Sequence, residues 1–484
     1  MNNASCNGVY SKKNRLNRTA SFSKTGSSNY FSIRSNRRLK KNPIYSFCIF
    51  FFLPIFFLSC AGTQVLTKKE KKSLHELISA SPIFSKNYTG FALFDPVTKE
   101  TLYEFDSDNY FTPASNTKLF TLYTALSILG DTIPVFEYGI KGDSLIVYGT
   151  GDPSLLHPFF VENDALIQFL KNRPEQLFYC PDNFIDERYG AGWAWDDYLY
   201  YYQVEKSAMP IYGNVVTIKK DANTSEESIT PAYFQKYIQR NTGIERSRPR
   251  FKRALSTNQI NLEGTLSTAK EFYQEIPFQY NDSLLTTLLE IEIGKEVNLI
   301  AMPQPLLTEK VYSGSIDSLY RRMMVESDNF VAEQLLLMCS NELFDTMNTR
   351  RIITYAKDSL LQDLQDPLRW VDGSGLSRYN LFTPRSMVRV LEKIQERLSI
   401  EKIKSIFAAG GETGTLTNYY RSKGEPFIYA KTGTLSNRHC LSGYLFTKSG
   451  KVLIFSFMHN NFYGSSTPLK KEMDKVLRTL YEEH

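Results

Sequence analysis

Ser115 and Lys118 are three positions apart, so on a helix the hydroxyl and the amine share one face. A lysine held in a dry, electropositive setting can lose its proton near neutral pH. It can then take the proton of a neighbouring serine and make that hydroxyl a nucleophile. Other hydrolytic apparatus is missing from the sequence: no H-E-x-x-H, no P-loop and no G-x-S-x-G elbow occurs. Histidine stands only at positions 75, 157, 439, 459 and 484, and none carries the local signature of a Ser-His-Asp triad. A lone S-x-x-K is weak, because a solvated helix start reads the same way. Two further groups strengthen it: Ser327-Asp328-Asn329, at a break between two helical runs, and Lys431-Thr432-Gly433-Thr434, at the end of a strand candidate.

In that order the three groups resemble the S-x-x-K, S-D-N and K-T-G signature of penicillin-binding proteins and class A β-lactamases. Ser115 and Ser327 are 212 positions apart, whereas Ser327 and Lys431 are only 104 apart. A β-lactamase needs no such gap between its first and second motifs. With that gap the chain resembles instead the class C low-molecular-mass penicillin-binding proteins, the D-alanyl-D-alanine carboxypeptidase/endopeptidase family, whose transpeptidase-like domain carries two extra domains between its first and second motifs. Gly192-Trp193-Ala194-Trp195-Asp196-Asp197 and Asp372-Gly373-Ser374-Gly375-Leu376-Ser377-Arg378 are similar to segments of that family, and the match runs over roughly residues 80 to 470.

The resemblance implies a serine DD-peptidase acting on peptidoglycan stem peptides, with β-lactams as inhibitors and no cofactor or metal. It implies that Ser115 attacks the peptide carbonyl, that Lys118 takes its proton, and that the backbone N–H groups of Ser115 and Thr434 hold the oxyanion. Ser327 would relay a proton to the leaving D-alanine, with Lys431 keeping its surroundings positive. Asn329 would orient Lys118 and the substrate amide. Thr432, Gly433 and Thr434 would receive the substrate's terminal carboxylate. Asp197 and Arg378 would bind the ammonium and carboxylate of a diamino-acid side chain; Trp193, Trp195 and Tyr198 flank Asp197 in sequence, which otherwise reads as a surface carboxylate beside aromatic residues. The Asp372-Gly373-Ser374-Gly375 stretch reads equally as a tight turn or as a wall of the cleft. Carboxypeptidase and endopeptidase action stay open, and the rival functions are a β-lactamase-type hydrolase and a non-catalytic wall-binding protein.

The expected fold is α/β and multi-domain: a β-lactamase/transpeptidase-like domain, with an antiparallel sheet flanked by helices, interrupted by a largely β insertion of one or two small domains. Residues 81–140 and 306–484 make the two parts of the main domain, and 141–305 the insertion. Alternation around Asp95-Pro96 predicts a hairpin over 88–105. Leu119, Leu122, Leu126 and Leu129 predict a helix opened by Pro113-Ala114-Ser115 and stopped at Gly130. Strands are predicted over 427–431, 439–447 and 452–459, with a last helix after Leu469.

Apolar residues make up 42% of the chain and charged residues 22%, as in a globular protein. The formal charge is +6, yet residues 1–59 hold ten Lys and Arg and no acidic residue, so removing those ten leaves −4 for the rest. A mildly acidic body argues against a nucleic-acid partner. The basic stretch leads into the apolar run Ile44–Leu58 and small residues, the pattern of a secretory signal over 1–59. Leu58-Ser59-Cys60-Ala61 resembles a lipobox, departing from it at Phe57. Cys60 is therefore expected to carry lipid and residues 60–80 to tether the enzyme to a membrane in the cell envelope. A plain cleaved signal or an uncleaved anchor is the alternative. Cys180, Cys339 and Cys440 form no close pair and read as buried apolar residues. The oligomeric state is not written in the sequence.

Overall fold

The computed structural model describes residues 66–160, 164–224, 226–240, 243–267, 270–301 and 308–483. Cys60 and the signal lie outside them. Among the described residues no helix is long and apolar enough to cross a membrane.

The predicted hairpin forms from Tyr88–Asp95 and Glu100–Phe105, and it joins the three C-terminal strands in one antiparallel sheet of six. Its strand order is Ala408–Ala409, Ile428–Leu435, Arg438–Phe446, Val452–Asn460, Tyr88–Asp95 and Glu100–Phe105. The central strands are buried on both faces, which explains their unbroken apolar runs. Successive side chains leave a strand on opposite sides. Accordingly Leu441, Leu445, Phe455 and Phe457 pack with Leu74, Ile78, Met473 and Leu477 of the helices Lys68–Ser79 and Thr467–Glu483. Cys440, Tyr444, Ile454 and Met458 pack with Leu119, Leu122, Leu335 and Leu391 of Lys118–Ile128, Asn329–Phe344 and Pro384–Gln395. The sheet flanked by helices expected from the motifs is thus present.

A separate core fills the middle of the chain. It is built on a five-stranded mixed sheet and two three-stranded sheets, with Leu284, Leu285, Leu288 and Leu289 of the helix Asp282–Ile293 in the same cluster. That helix was hidden in a region of β texture. Its own signals are local: the Asn281 side chain accepts from Leu284 N–H, and Gly294 ends it at φ 73°. The strand Thr132–Lys141 pairs antiparallel with Glu309–Ser315, so this sheet reaches past both ends of the 141–305 segment.

Two local expectations are corrected. Ser115 does not open the α-helix: it sits in a 3-10 turn, Ala114–Thr117, and the α-helix begins at Lys118. Lys431-Thr432-Gly433-Thr434 is not at a strand end, because the strand runs from Ile428 to Leu435, where Leu435 pairs with Arg438. Pairing with the neighbouring strand carries the extended backbone through threonines and glycine that give no apolar signal of their own.

Candidate active site

Three separated elements meet at one point. Ser115 is held in its turn by Asn116, whose Nδ2 donates to the Lys431 carbonyl at 2.7 Å and whose Oδ1 accepts from Ser442 Oγ at 2.9 Å. The turn is pressed against two glycines. A Cβ at Gly433 would lie 2.4 Å from the Pro113 carbonyl oxygen, and one at Gly375 only 1.8 Å from that of Ala114, at φ 83°. Neither place admits a side chain without moving the nucleophile.

Lys118 is fully buried, and its Nζ has three partners: Ser115 Oγ at 3.0 Å, Asn329 Oδ1 at 2.7 Å and the Ser374 carbonyl at 2.7 Å. The amide of Asn329 is oriented by its Nδ2, which donates to the Tyr202 carbonyl at 2.9 Å. Asn329 Oδ1 and the Ser374 carbonyl can only accept. When the amine is neutral, its lone pair has one possible donor, the hydroxyl of Ser115. Burial pulls Lys118 down to about 8, against Asp372, Glu333 and Asp328, which pull it up.

Ser327 lies in the loop between the helices Asp317–Val325 and Asn329–Phe344, at φ 63°, a strained region for a serine. Asp328 secures the loop, accepting from Val331 N–H at 3.1 Å and from Arg322 Nε at 2.9 Å. Lys431 Nζ, also fully buried, donates to Ser327 Oγ and to the Thr432 carbonyl, both at 2.8 Å. Burial, and then the charge of Lys118, push Lys431 well below the ordinary lysine value. Thr432 Oγ1 donates to Thr415 Oγ1 at 2.7 Å, and Thr434 Oγ1 lies 2.9 Å from His439 Nδ1. Burial, with Lys470 nearby, takes that imidazole down to about 3, so it is uncharged.

These groups open on a cleft of about 770 Å³ whose walls include Ser115, Ser327, Asn329, Thr434, Asp197 and Arg378. Asp197 sits in the 3-10 turn Trp195–Leu199, half-exposed, and accepts from the hydroxyl of Tyr202 at 3.0 Å. Its sequence neighbours do not enclose it. Trp195 is 76% exposed, and Trp193 turns away to donate its Nε1–H to Asp372 at 2.9 Å, because a tight turn spreads successive side chains around its axis. Arg378 is exposed and makes no ion pair among the described residues. It lies near Arg438, which burial and then Arg378 itself hold below the ordinary arginine value. Arg378 thus offers the cleft a guanidinium with no ion pair among the described residues, which suits an anion.

Several members of the site gave no chemical signal in the sequence: Asn116, Tyr202, Thr415, Glu333 and the carbonyl of Ser374. Glu333 is buried and accepts from the N–H groups of Gly373 and Ser374 at 3.0 and 2.8 Å. An acid among apolar residues, four positions after Asn329, is the trace it left. No group of three or more His, Cys, Asp or Glu among the described residues is arranged to hold a metal. Cys180, Cys339 and Cys440 are buried free thiols.

The model of the D-Ala-D-Ala carboxypeptidase 3 (S13) family matches residues 70–480. The chain belongs to this family. Two S13 relatives by sequence are a D-alanyl-D-alanine carboxypeptidase DacB of Haemophilus influenzae and a D-alanyl-D-alanine carboxypeptidase of an Actinomadura strain. The first is 25% identical, over 81% of this chain and 90% of the relative. The second is 27% identical, over 80% of each. Among solved structures, penicillin binding protein 4 of H. influenzae superposes with a TM-score of 0.66 at 21% identity, over 85% of this chain and 99% of that one, a likeness of fold. This S13 chain is a serine-type peptidase, and the α/β transpeptidase-like fold expected from its motifs is the fold it has.

Proposed function

We propose that the chain removes D-alanine from, or cuts D-Ala cross-links between, peptidoglycan stem peptides through an acyl-enzyme on Ser115. One observation carries the reading: among the described residues, the only hydrogen-bond partner of Lys118 Nζ that can donate to the lone pair of a neutral amine is the Ser115 hydroxyl. Lys118 takes that proton as Ser115 Oγ bonds to the substrate carbonyl carbon, and the C–O electron pair moves onto the oxygen, facing the backbone N–H groups of Ser115 and Thr434. Ser327, bonded to Lys431, passes a proton to the departing nitrogen as the C–N bond breaks. The proton taken by Lys118 is passed back to Ser327, which leaves the amine neutral. Lys118 then deprotonates a water that attacks the acyl carbon, and hands that proton to Ser115 Oγ as the ester bond breaks, restoring the serine.

Electrostatics divide the two lysines. Three carboxylates offset the burial of Lys118, whereas no carboxylate offsets that of Lys431. A substrate carboxylate received by Thr432 and Thr434 would supply that missing charge, so substrate and proton arrive at Lys431 together. Defined monomeric and cross-linked muropeptides, followed by mass spectrometry, test the assignment. Loss of one D-Ala from the monomer, or division of the dimer at its D-Ala bond, is the expected product. Rapid turnover of penicillin with neither muropeptide touched would reassign the enzyme as a β-lactamase.

We also propose that Cys60 carries lipid and holds the enzyme at a membrane, on the strength of Leu58-Ser59-Cys60-Ala61 following a basic stretch and an apolar run. Cys60→Ala is expected to leave the membrane fraction and to lose the mass of the acyl groups. A variant that keeps the wild-type fraction and mass shift defeats the proposal.

A further inference from the structure

The carbonyl that accepts from Lys118 belongs to the peptide group between Ser374 and Gly375. The N–H of that same peptide group donates to Asp372 Oδ1 at 2.9 Å. One planar amide therefore lies between a buried carboxylate and the amine, and hydrogen bonds at its two ends polarise it in the same direction. Glu333 does not share this path, since the N–H groups it holds belong to the two preceding peptide groups.

Asp372 is 1% exposed and ringed by donors. Asn380 Nδ2 meets Oδ1 at 2.7 Å, while Ser377 N–H and Trp193 Nε1–H meet Oδ2 at 2.6 and 2.9 Å. An ionised carboxylate satisfies all of them, whereas a protonated one would point its own hydrogen at a donor. Trp193 reaches Asp372 from 179 positions away, and four residues beyond it stands Asp197 in the cleft wall.

Building on the Ser115 acyl-enzyme reading above, we propose that Asp372 is a positioning residue that acts on Lys118 through the Ser374–Gly375 peptide group, with Trp193 completing its ring of donors. The carboxylate aims the carbonyl at Lys118, and so turns the amine's lone pair toward Ser115. It also favours the protonated amine. The charged groups facing Lys118 are the carboxylates of Asp372, Glu333 and Asp328 and the amine of Lys431. Removing the charge of Asp372 alone therefore lowers the pH at which Lys118 becomes a base. Removing one donor from Asp372 leaves its charge less compensated and raises that pH.

The test is the second-order rate of Ser115 labelling by a fluorescent penicillin, measured against pH on the full chain. The wild type should rise to a plateau with a midpoint near pH 8, the value that burial and the three carboxylates set together. Asp372→Asn should move the midpoint down by about one pH unit and lower the plateau about tenfold, as a weaker and less well aimed base requires. Trp193→Phe, which keeps an aromatic ring but loses the indole N–H together with the volume of the second ring, should move the midpoint up by a fraction of a unit. If Asp372→Asn does not fold, the shift in Trp193→Phe decides alone. Lower plateaus at an unmoved midpoint, or no change in either variant, overturn the proposal and leave a merely structural turn. A wild type that does not label at Ser115 overturns the acyl-enzyme reading itself, which labelled variants with unmoved midpoints do not.

Discussion

Ser115→Ala is expected to form no covalent adduct with a fluorescent penicillin, and Lys118→Ala to form it about 10²- to 10⁴-fold more slowly than the wild type. The first loss is total because, among the described residues, no other hydroxyl is hydrogen-bonded to Lys118 Nζ. The second is partial because the turn still presents the serine, held by Asn116 and by the close approach of Gly433 and Gly375. Folding should survive in both. Lys118→Ala leaves the acceptors Asn329 Oδ1 and Ser374 O without that donor, at about 1–3 kcal/mol each, but it also removes a buried amine whose ionised form is costly to desolvate. Mass spectrometry of the labelled protein with a thermal melt of each variant checks both halves. An adduct on folded Ser115→Ala would remove Ser115 from its proposed role.

Asp197→Ala and Arg378→Ala are each expected to lower kcat/KM by about 1.5–3 kcal/mol, roughly 10- to 150-fold, on stem peptides whose diamino acid, such as meso-diaminopimelate, ends in a free ammonium and carboxylate. Penicillin acylation, with no such end, should change far less. The reasoning is electrostatic. Asp197 faces the cleft with the Tyr202 hydroxyl as its side-chain partner, and Arg378, also on the cleft wall, makes no ion pair among the described residues. Exposure separates the two magnitudes: Arg378 is exposed and screened by solvent, so its loss belongs at the lower end and should shrink further in high salt. Half-buried Asp197 should lose more and depend less on salt. Kinetics on matched peptides with and without the zwitterionic end decide it, and equal losses on peptide and penicillin would point to a structural role.

Sequence by itself carried the order of the three motifs, the alternation of the hairpin around Asp95-Pro96, the stripe of leucines after Lys118 and the acidic body behind a basic start. All of these are local: a period of two or 3.6, or a few adjacent side chains, is imposed within one element whatever lies across from it. Tertiary structure decided the rest. Asn116 meets the Lys431 carbonyl across 315 positions, Lys118 the Ser374 carbonyl across 256, and Trp193 reaches Asp372 across 179. No pattern in the chain announces a bond to a backbone carbonyl, since every residue has one. The base strength of Lys118 is likewise a property of its burial beside Asp372, Glu333 and Asp328. The spacing of Ser115 and Lys118 puts an amine beside a hydroxyl, but only the packing of distant segments removes the water and aims the lone pair, because desolvation and hydrogen-bond direction exist only once the chain has closed around them.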